Sequence, residues 1–362
     1  MLRRPRVVAA TAAVLLTTGV GACAEPRVGA DPPGHPPGAR FTVNPALRPV
    51  SGLADGPPWP DDQHRGTRSF VTGITQLDRD RGLVTWPRDV PAPASVPSYA
   101  FTDHLPDLAA RADRLARALG LDPAGRTGQD GTLRYEGDGE AVLVVATDAG
   151  QQWAYARDGA DCSDVDGTET ASLLAGCART RTDGQETQVP VSQQDARQRA
   201  RPVLAAAGVD VEATLTTVTD GGRLLHADPT VAGRSTSGLT VGVLVDGEGV
   251  RAATGRLGEV TAVARYDVRP LADLVAPDGV AAGGLRCASP TVAPECAGPA
   301  EEARDVRLGY RPWWFGDSLR LVPVWLADDD QARLLAALPA VSLDLLPPLL
   351  RQYFGGAGVP AQ

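Results

Sequence analysis

Leu108-Ala109-Ala110-Arg111-Ala112-Asp113-Arg114-Leu115-Ala116-Arg117-Ala118-Leu119-Gly120-Leu121-Asp122 is the stretch on which the fold turns. Leu108, Ala112, Leu115, Ala116 and Leu119 recur at helical steps, so one face of a helix carries them all. Gly120 then stands at the C′ position, where left-handed backbone is unstrained only without a Cβ. At an offset of 88 residues the pattern returns: Ala196, Ala200, Val203, Leu204 and Ala207 repeat the face, and Gly208-Val209-Asp210 repeats the stop. Ser192 is placed to cap the second helix. The echo predicts a duplication.

Strand signals follow each helix. After the first come Leu133 to Tyr135, Ala141 to Ala146, a turn at Asp148-Ala149-Gly150, and Gln152 to Ala156. After the second come Leu215 to Val218, Leu239 to Val245, the hairpin dipeptide Asp246-Gly247, Val250 to Thr254 and Val260 to Tyr266. Val306 to Tyr310, Leu319 to Leu326 and Arg333 to Leu338 add a last hairpin. The expected class is therefore α+β: two helix-plus-antiparallel-sheet units with a C-terminal hairpin. The expected division is a signal peptide over 1–22, a Pro/Gly-rich tether over 23–68, a first unit over 69–188, and a second unit with its hairpin extension over 189–362.

The N-terminus supplies an address. Arg3, Arg4 and Arg6 precede an apolar run, Val7 to Thr18, and Val20-Gly21-Ala22-Cys23 closes it, as an export signal requires. The run falls short of the roughly 20 apolar residues that span a bilayer. The tether, with Pro32-Pro33, Pro36-Pro37 and Pro57-Pro58, has too little apolar surface to fold and stays extended. His35 and His64 within it lack the fixed geometry a metal needs.

Cysteine parity agrees with a modified Cys23. The other four form two close pairs, Cys162 with Cys177 and Cys287 with Cys296, and two disulfides are expected in an oxidising compartment, with the connectivity open. Neither pair has the C-x-x-C spacing or nearby histidine of a zinc site. With 43% hydrophobic and 22% charged residues the chain reads as globular. Every one of its 35 basic residues is arginine, which removes Schiff-base and Ser-Lys chemistry. Loss of the three signal arginines takes the formal charge from −9 to about −12, and the arginines are interleaved with acids, so nucleic acid is not an expected partner.

Catalytic and metal signatures fail on inspection. Cys162-Ser163-Asp164-Val165-Asp166-Gly167 approaches a calcium loop but has Leu173 where a bidentate glutamate belongs. Asp328-Asp329-Asp330 reads as a solvated turn. Gly233-Arg234-Ser235-Thr236-Ser237 resembles a nucleophile elbow with its last glycine displaced, and neither His104 nor His226 adjoins a motif. No catalytic residue, metal or cofactor is expected. Tyr310, Trp313, Trp314 and Phe315 concentrate aromatics in a chain with only six Trp, six Tyr and five Phe. They read either as a loop presenting rigid side chains to a partner or as a cap on the final sheet.

Val20-Gly21-Ala22-Cys23 resembles the lipobox of bacterial lipoproteins, in which the cysteine is lipidated, palmitate included, and becomes the new N-terminus. With the tether, the repeated helix stop and Leu321-Val322-Pro323-Val324-Trp325, the chain resembles actinobacterial lipoproteins, and its helix-plus-hairpin segments are similar to PepSY or cystatin-like modules. That resemblance implies a non-catalytic binding or regulatory module anchored on the outer face of the cytoplasmic membrane, with an envelope protein or wall polymer as partner. Two alternatives stay open: an envelope hydrolase using carboxylates or Ser235, and a carrier of a small apolar ligand.

Overall fold

The computed structural model describes residue 53 and residues 83–129, 131–137, 139–148, 150–157, 191–219, 222–275, 280–282, 301–315, 318–329 and 334–346. The signal segment, nearly all of the tether and all five cysteines, Cys23, Cys162, Cys177, Cys287 and Cys296, lie outside them.

Helix α1 (Leu108–Ala118) and helix α2 (Gln193–Ala206) end alike. Gly120 and Gly208 each take φ +78°. Their N–H groups donate to Arg117 O and Ala205 O, and those of Leu121 and Val209 reach back to Ala116 O and Leu204 O. This paired closure satisfies carbonyls that the helix leaves open. The next aspartate then caps a short 3-10 turn: Asp122 Oδ1 accepts from Ala124 N at 2.9 Å, and Asp210 Oδ1 from Glu212 N at 3.0 Å. Ser192 caps α2, accepting from Asp195 N at 3.1 Å.

Eighteen strands are formed among the described residues. In chain order they are β1 (Leu83–Thr85), β2 (Ser95–Phe101), β3 (Thr127–Gln129), β4 (Thr132–Glu136), β5 (Val142–Ala146), β6 (Gln152–Ala156), β7 (Leu215–Thr219), β8 (Gly222–Ala227) and β9 (Thr230–Val231). Then come β10 (Arg234–Ser235), β11 (Val241–Asp246), β12 (Gly249–Arg256), β13 (Val260–Asp267), β14 (Val280–Ala282), β15 (Glu301–Glu302), β16 (Asp305–Phe315), β17 (Ser318–Asp328) and β18 (Leu334–Pro339).

Eight of them form one antiparallel sheet in the order β3-β4-β5-β6-β12-β11-β8-β7. The order runs inward from both ends, as two meanders whose last strands, β6 and β12, pair through Ala154 and Thr254. Both helices lie on this sheet and touch each other. Leu115, Ala112, Leu204 and Ala200 are fully buried in one core with Tyr135, Leu143, Leu225 and Val243.

A second sheet has the order β13-β2-β17-β16, with β18 also on β17. Its core gathers Trp86, Val96, Tyr266, Trp313, Val322 and Trp325. The Trp325 indole also satisfies its own donor, giving its N–H to Arg269 O at 3.0 Å. Strands β1, β14 and β15 form a small third sheet. The β9–β10 hairpin packs Val231 into a cluster with Tyr99, Phe101, Tyr310 and Leu321 of the second sheet.

This topology corrects the expected α+β class. Two separate helix-plus-sheet units with a C-terminal hairpin are not what forms. The described chain is mostly strand, with two α-helices and several multi-stranded sheets. The physical reason is edge pairing. A meander leaves its last strand with unpaired N–H and C=O groups, and β6 and β12 satisfy theirs in each other. The last hairpin likewise does not stand alone, because β2, from ahead of α1, pairs with both β13 and β17.

Candidate functional site

The aromatic run, read either as a partner-facing loop or as a cap on the final sheet, is a strand. Tyr310, Trp313, Trp314 and Phe315 all belong to β16, paired residue for residue with β17. Tyr310 is 1% exposed and Trp313 5% exposed. The Tyr310 ring meets Tyr99 edge to face at 5.3 Å, and its hydroxyl donates to Pro97 O at 3.0 Å. Burial drives the phenol pKa well above the ordinary tyrosine range. These two rings are buried in packed cores.

Ser235 sits on β10, where its Oγ accepts from Arg307 Nε at 3.0 Å. The same guanidinium gives Nη1 to Asp305 Oδ2 and to Asp328 Oδ2, each at 2.6 Å. Asp328 is thus buried in an ion pair rather than solvated in a turn. Asp228 joins the field of this cluster and accepts from Thr240 Oγ1 at 2.5 Å. Its side chain is exposed to solvent at one side of this cluster. Desolvation there, aided by the Asp328 charge and opposed by Thr240 and Arg307, pushes its pKa up to about 6. His226 lies half-buried on β8, with its pKa lowered by burial, and His104 is exposed ahead of α1. Among the described residues no set of three His, Cys, Asp or Glu side chains is placed to hold a metal ion, and no helix is long and apolar enough to cross a membrane.

A concave site lies along α2. Gln193, Gln194, Arg197, Gln198 and Arg201, with Glu212 from the 3-10 turn that follows the helix, line a groove of about 610 Å³. The Leu204 side of the helix is held in the core, so these polar positions face outward. Arg201 Nη2 donates to Glu212 Oε1 at 3.0 Å. Arg197 is held more loosely: Nη1 to Glu212 Oε2 is 3.5 Å, Nη2 to Thr214 O is 3.4 Å, and Nε is buried without a hydrogen-bond partner. Two guanidiniums therefore share one carboxylate. The site can give and accept hydrogen bonds through three amides while keeping one net positive charge.

Sequence reasoning missed this groove, although the repeat contained its signal. The positions 88 residues earlier are Leu105, Pro106, Ala109, Ala110, Asp113 and Ala124. Asp113 there is engaged by Tyr135 Oη at 2.9 Å and Arg126 Nη1 at 3.0 Å. The same framework thus carries polar, donor-rich residues beside α2 and mostly apolar ones beside α1. No family model, curated protein or solved structure matches the chain.

Proposed function

We propose that the chain is a lipid-anchored extracytoplasmic protein, held by Cys23 on the outer face of the bacterial cytoplasmic membrane, which acts as a non-catalytic binding module of the cell envelope. The observation that carries the binding reading is the groove of Gln193, Gln194, Arg197, Gln198, Arg201 and Glu212. Its volume falls within the range of ligand sites, about 300 to 1,000 Å³. Its partner is an envelope protein or wall polymer. A photo-crosslinking residue in place of Gln198 should give a discrete adduct in intact cells, and one in place of Arg114, exposed on α1, should not. Equal labelling at both positions would remove the groove from consideration. Cys23→Ser should release the protein from the membrane fraction.

The second reading is an envelope hydrolase using carboxylates, favoured by the gathering of Asp228, Asp305 and Asp328 about the Arg307 guanidinium. Hydrolysis of wall material by the purified protein, lost in Asp228→Asn, would establish it in place of the first.

A further inference from the structure

We infer that the groove beside α2 takes an acidic peptide, whose carboxylate displaces Glu212 from Arg197 and Arg201. This rests on the reading of the groove as the ligand site. Two observations select the ligand. The guanidiniums of Arg197 and Arg201 outnumber their one carboxylate, and the Arg197 contacts at 3.4 and 3.5 Å lie at the long limit of hydrogen bonding. A bidentate carboxylate meets guanidinium geometry better than the present contacts do.

The three amides narrow the class further. Gln193, Gln194 and Gln198 each offer donors and an acceptor. A peptide backbone offers both in return. A phosphate chain offers no donors to the amide oxygens, and a neutral glycan brings no charge that could displace Glu212.

Glu212 is built to yield. Its backbone is fixed, since its N–H is held by Asp210 Oδ1 at 3.0 Å, but its side chain is 59% exposed, as is that of Arg201. An ion pair so open to water is weakly held and readily exchanged. Glu212 therefore occupies the anion position in the absence of ligand and competes with it.

The test uses the full lipidated chain in detergent micelles and a fluorescent acetyl-Ala-Glu-Ala-Glu-Ala-amide peptide, followed by anisotropy. A control peptide has glutamine in place of both glutamates. The acidic peptide should bind and the control should not, with binding weakened by salt. Glu212→Gln should tighten binding about fivefold, the factor an exposed ion pair is worth, and Arg197→Gln with Arg201→Gln should abolish it. Unchanged affinity in Glu212→Gln, equal binding of both peptides, or binding of inorganic phosphate in preference to the acidic peptide would each overturn the inference. Equal binding that still depends on Gln194 and Gln198 would leave the groove as a site for an uncharged ligand. If neither peptide binds and crosslinking at Gln198 also fails, the groove reading falls with the inference.

Discussion

The Arg157 guanidinium and the Asp246 carboxylate meet side by side, with Nη1 on Oδ1 at 3.1 Å and Nη2 on Oδ2 at 2.6 Å. Arg157 follows β6 directly, and Asp246 ends β11, so the pair reaches across β12 and joins the two meanders of the large sheet. Asp246 Oδ1 also accepts from Glu248 N at 2.9 Å and Gly249 N at 3.1 Å, which closes the β11–β12 turn. Its side chain is 5% exposed, against 20% for Arg157. Asp246→Ala removes the acceptor of two turn-closing N–H groups as well as one partner of Arg157, which keeps Glu248 Oε2 at 3.1 Å, and should cost about 2 kcal/mol in denaturant unfolding. Arg157→Ala should cost less, because Asp246 keeps its two backbone donors. A loss below about 1 kcal/mol for Asp246→Ala would show that the pair does not clamp the sheet.

The pH profile should show two carboxylates acting in opposite directions. Burial raises the Asp246 pKa, but the hydrogen bonds from Arg157, Glu248 N and Gly249 N outweigh it and hold the group below the ordinary range. Its contribution is present above the unfolded pKa of about 3.9 and is lost as pH falls through the folded value. Asp228 is the reverse case, with a folded pKa of about 6. The folded state holds that proton more tightly, so the contribution is full below the unfolded pKa and is lost as pH rises through 6. Solvent contact at Asp228 reduces the size of the effect but not its sign. Thermal melts should therefore show Asp228→Asn gaining on the parent protein between about pH 4 and pH 6, the interval between the unfolded and folded pKa values. Parallel curves across this interval would show that Asp228 titrates normally.

Local features of this fold were legible in the sequence, and long-range ones were not. The Gly120 and Gly208 stops, the Ser192 cap and the buried helix faces follow from residues within a few positions of one another. Alternation identifies a strand without naming its neighbour. Nothing near Ala154 or Thr254 specifies that they face each other, and that one pairing merges the meanders. The strand signal ending at Tyr310 continues to Phe315 through Pro312, a residue that does not belong in a central strand. Pro312 is tolerated because β16 is an outer strand of its sheet, paired along its length with β17 and bridged on its other side at Tyr310 by Thr236. The α2 groove emerges only when one copy of the repeat is set against the other, position by position.

Gly255 makes the junction between the meanders sensitive to volume. It pairs with Trp153 across β6 and β12, and a Cβ on it would lie 3.0 to 3.1 Å from indole Cζ2, Cε2 and Nε1. Trp153 is 1% exposed, so the ring has little room to retreat. Gly255→Val should cost about 1 to 3 kcal/mol through overpacking, and near-UV circular dichroism should report a disturbed tryptophan. An unchanged denaturation midpoint would show that the indole moves aside freely.

The β9–β10 turn stores strain that a single substitution should release. Ala232 has φ +50° and Gly233 has φ +76°, the two successive positive values of a tight hairpin turn. A left-handed alanine costs roughly 1 kcal/mol, and asparagine tolerates the same backbone better. The turn holds this geometry because Val231, directly before it, is fully buried against the second sheet. Ala232→Asn should raise stability by about 0.5 to 1 kcal/mol without touching any packed side chain. Gly233→Ala should lower it by about 1 kcal/mol, even though nothing lies within 4 Å of the added Cβ, so the loss would be one of backbone alone. Thermal melts of the two variants read the same strain in opposite directions. Shifts of the same sign in both would show that the turn relaxes into another conformation and that the Val231 anchor does not dictate its backbone.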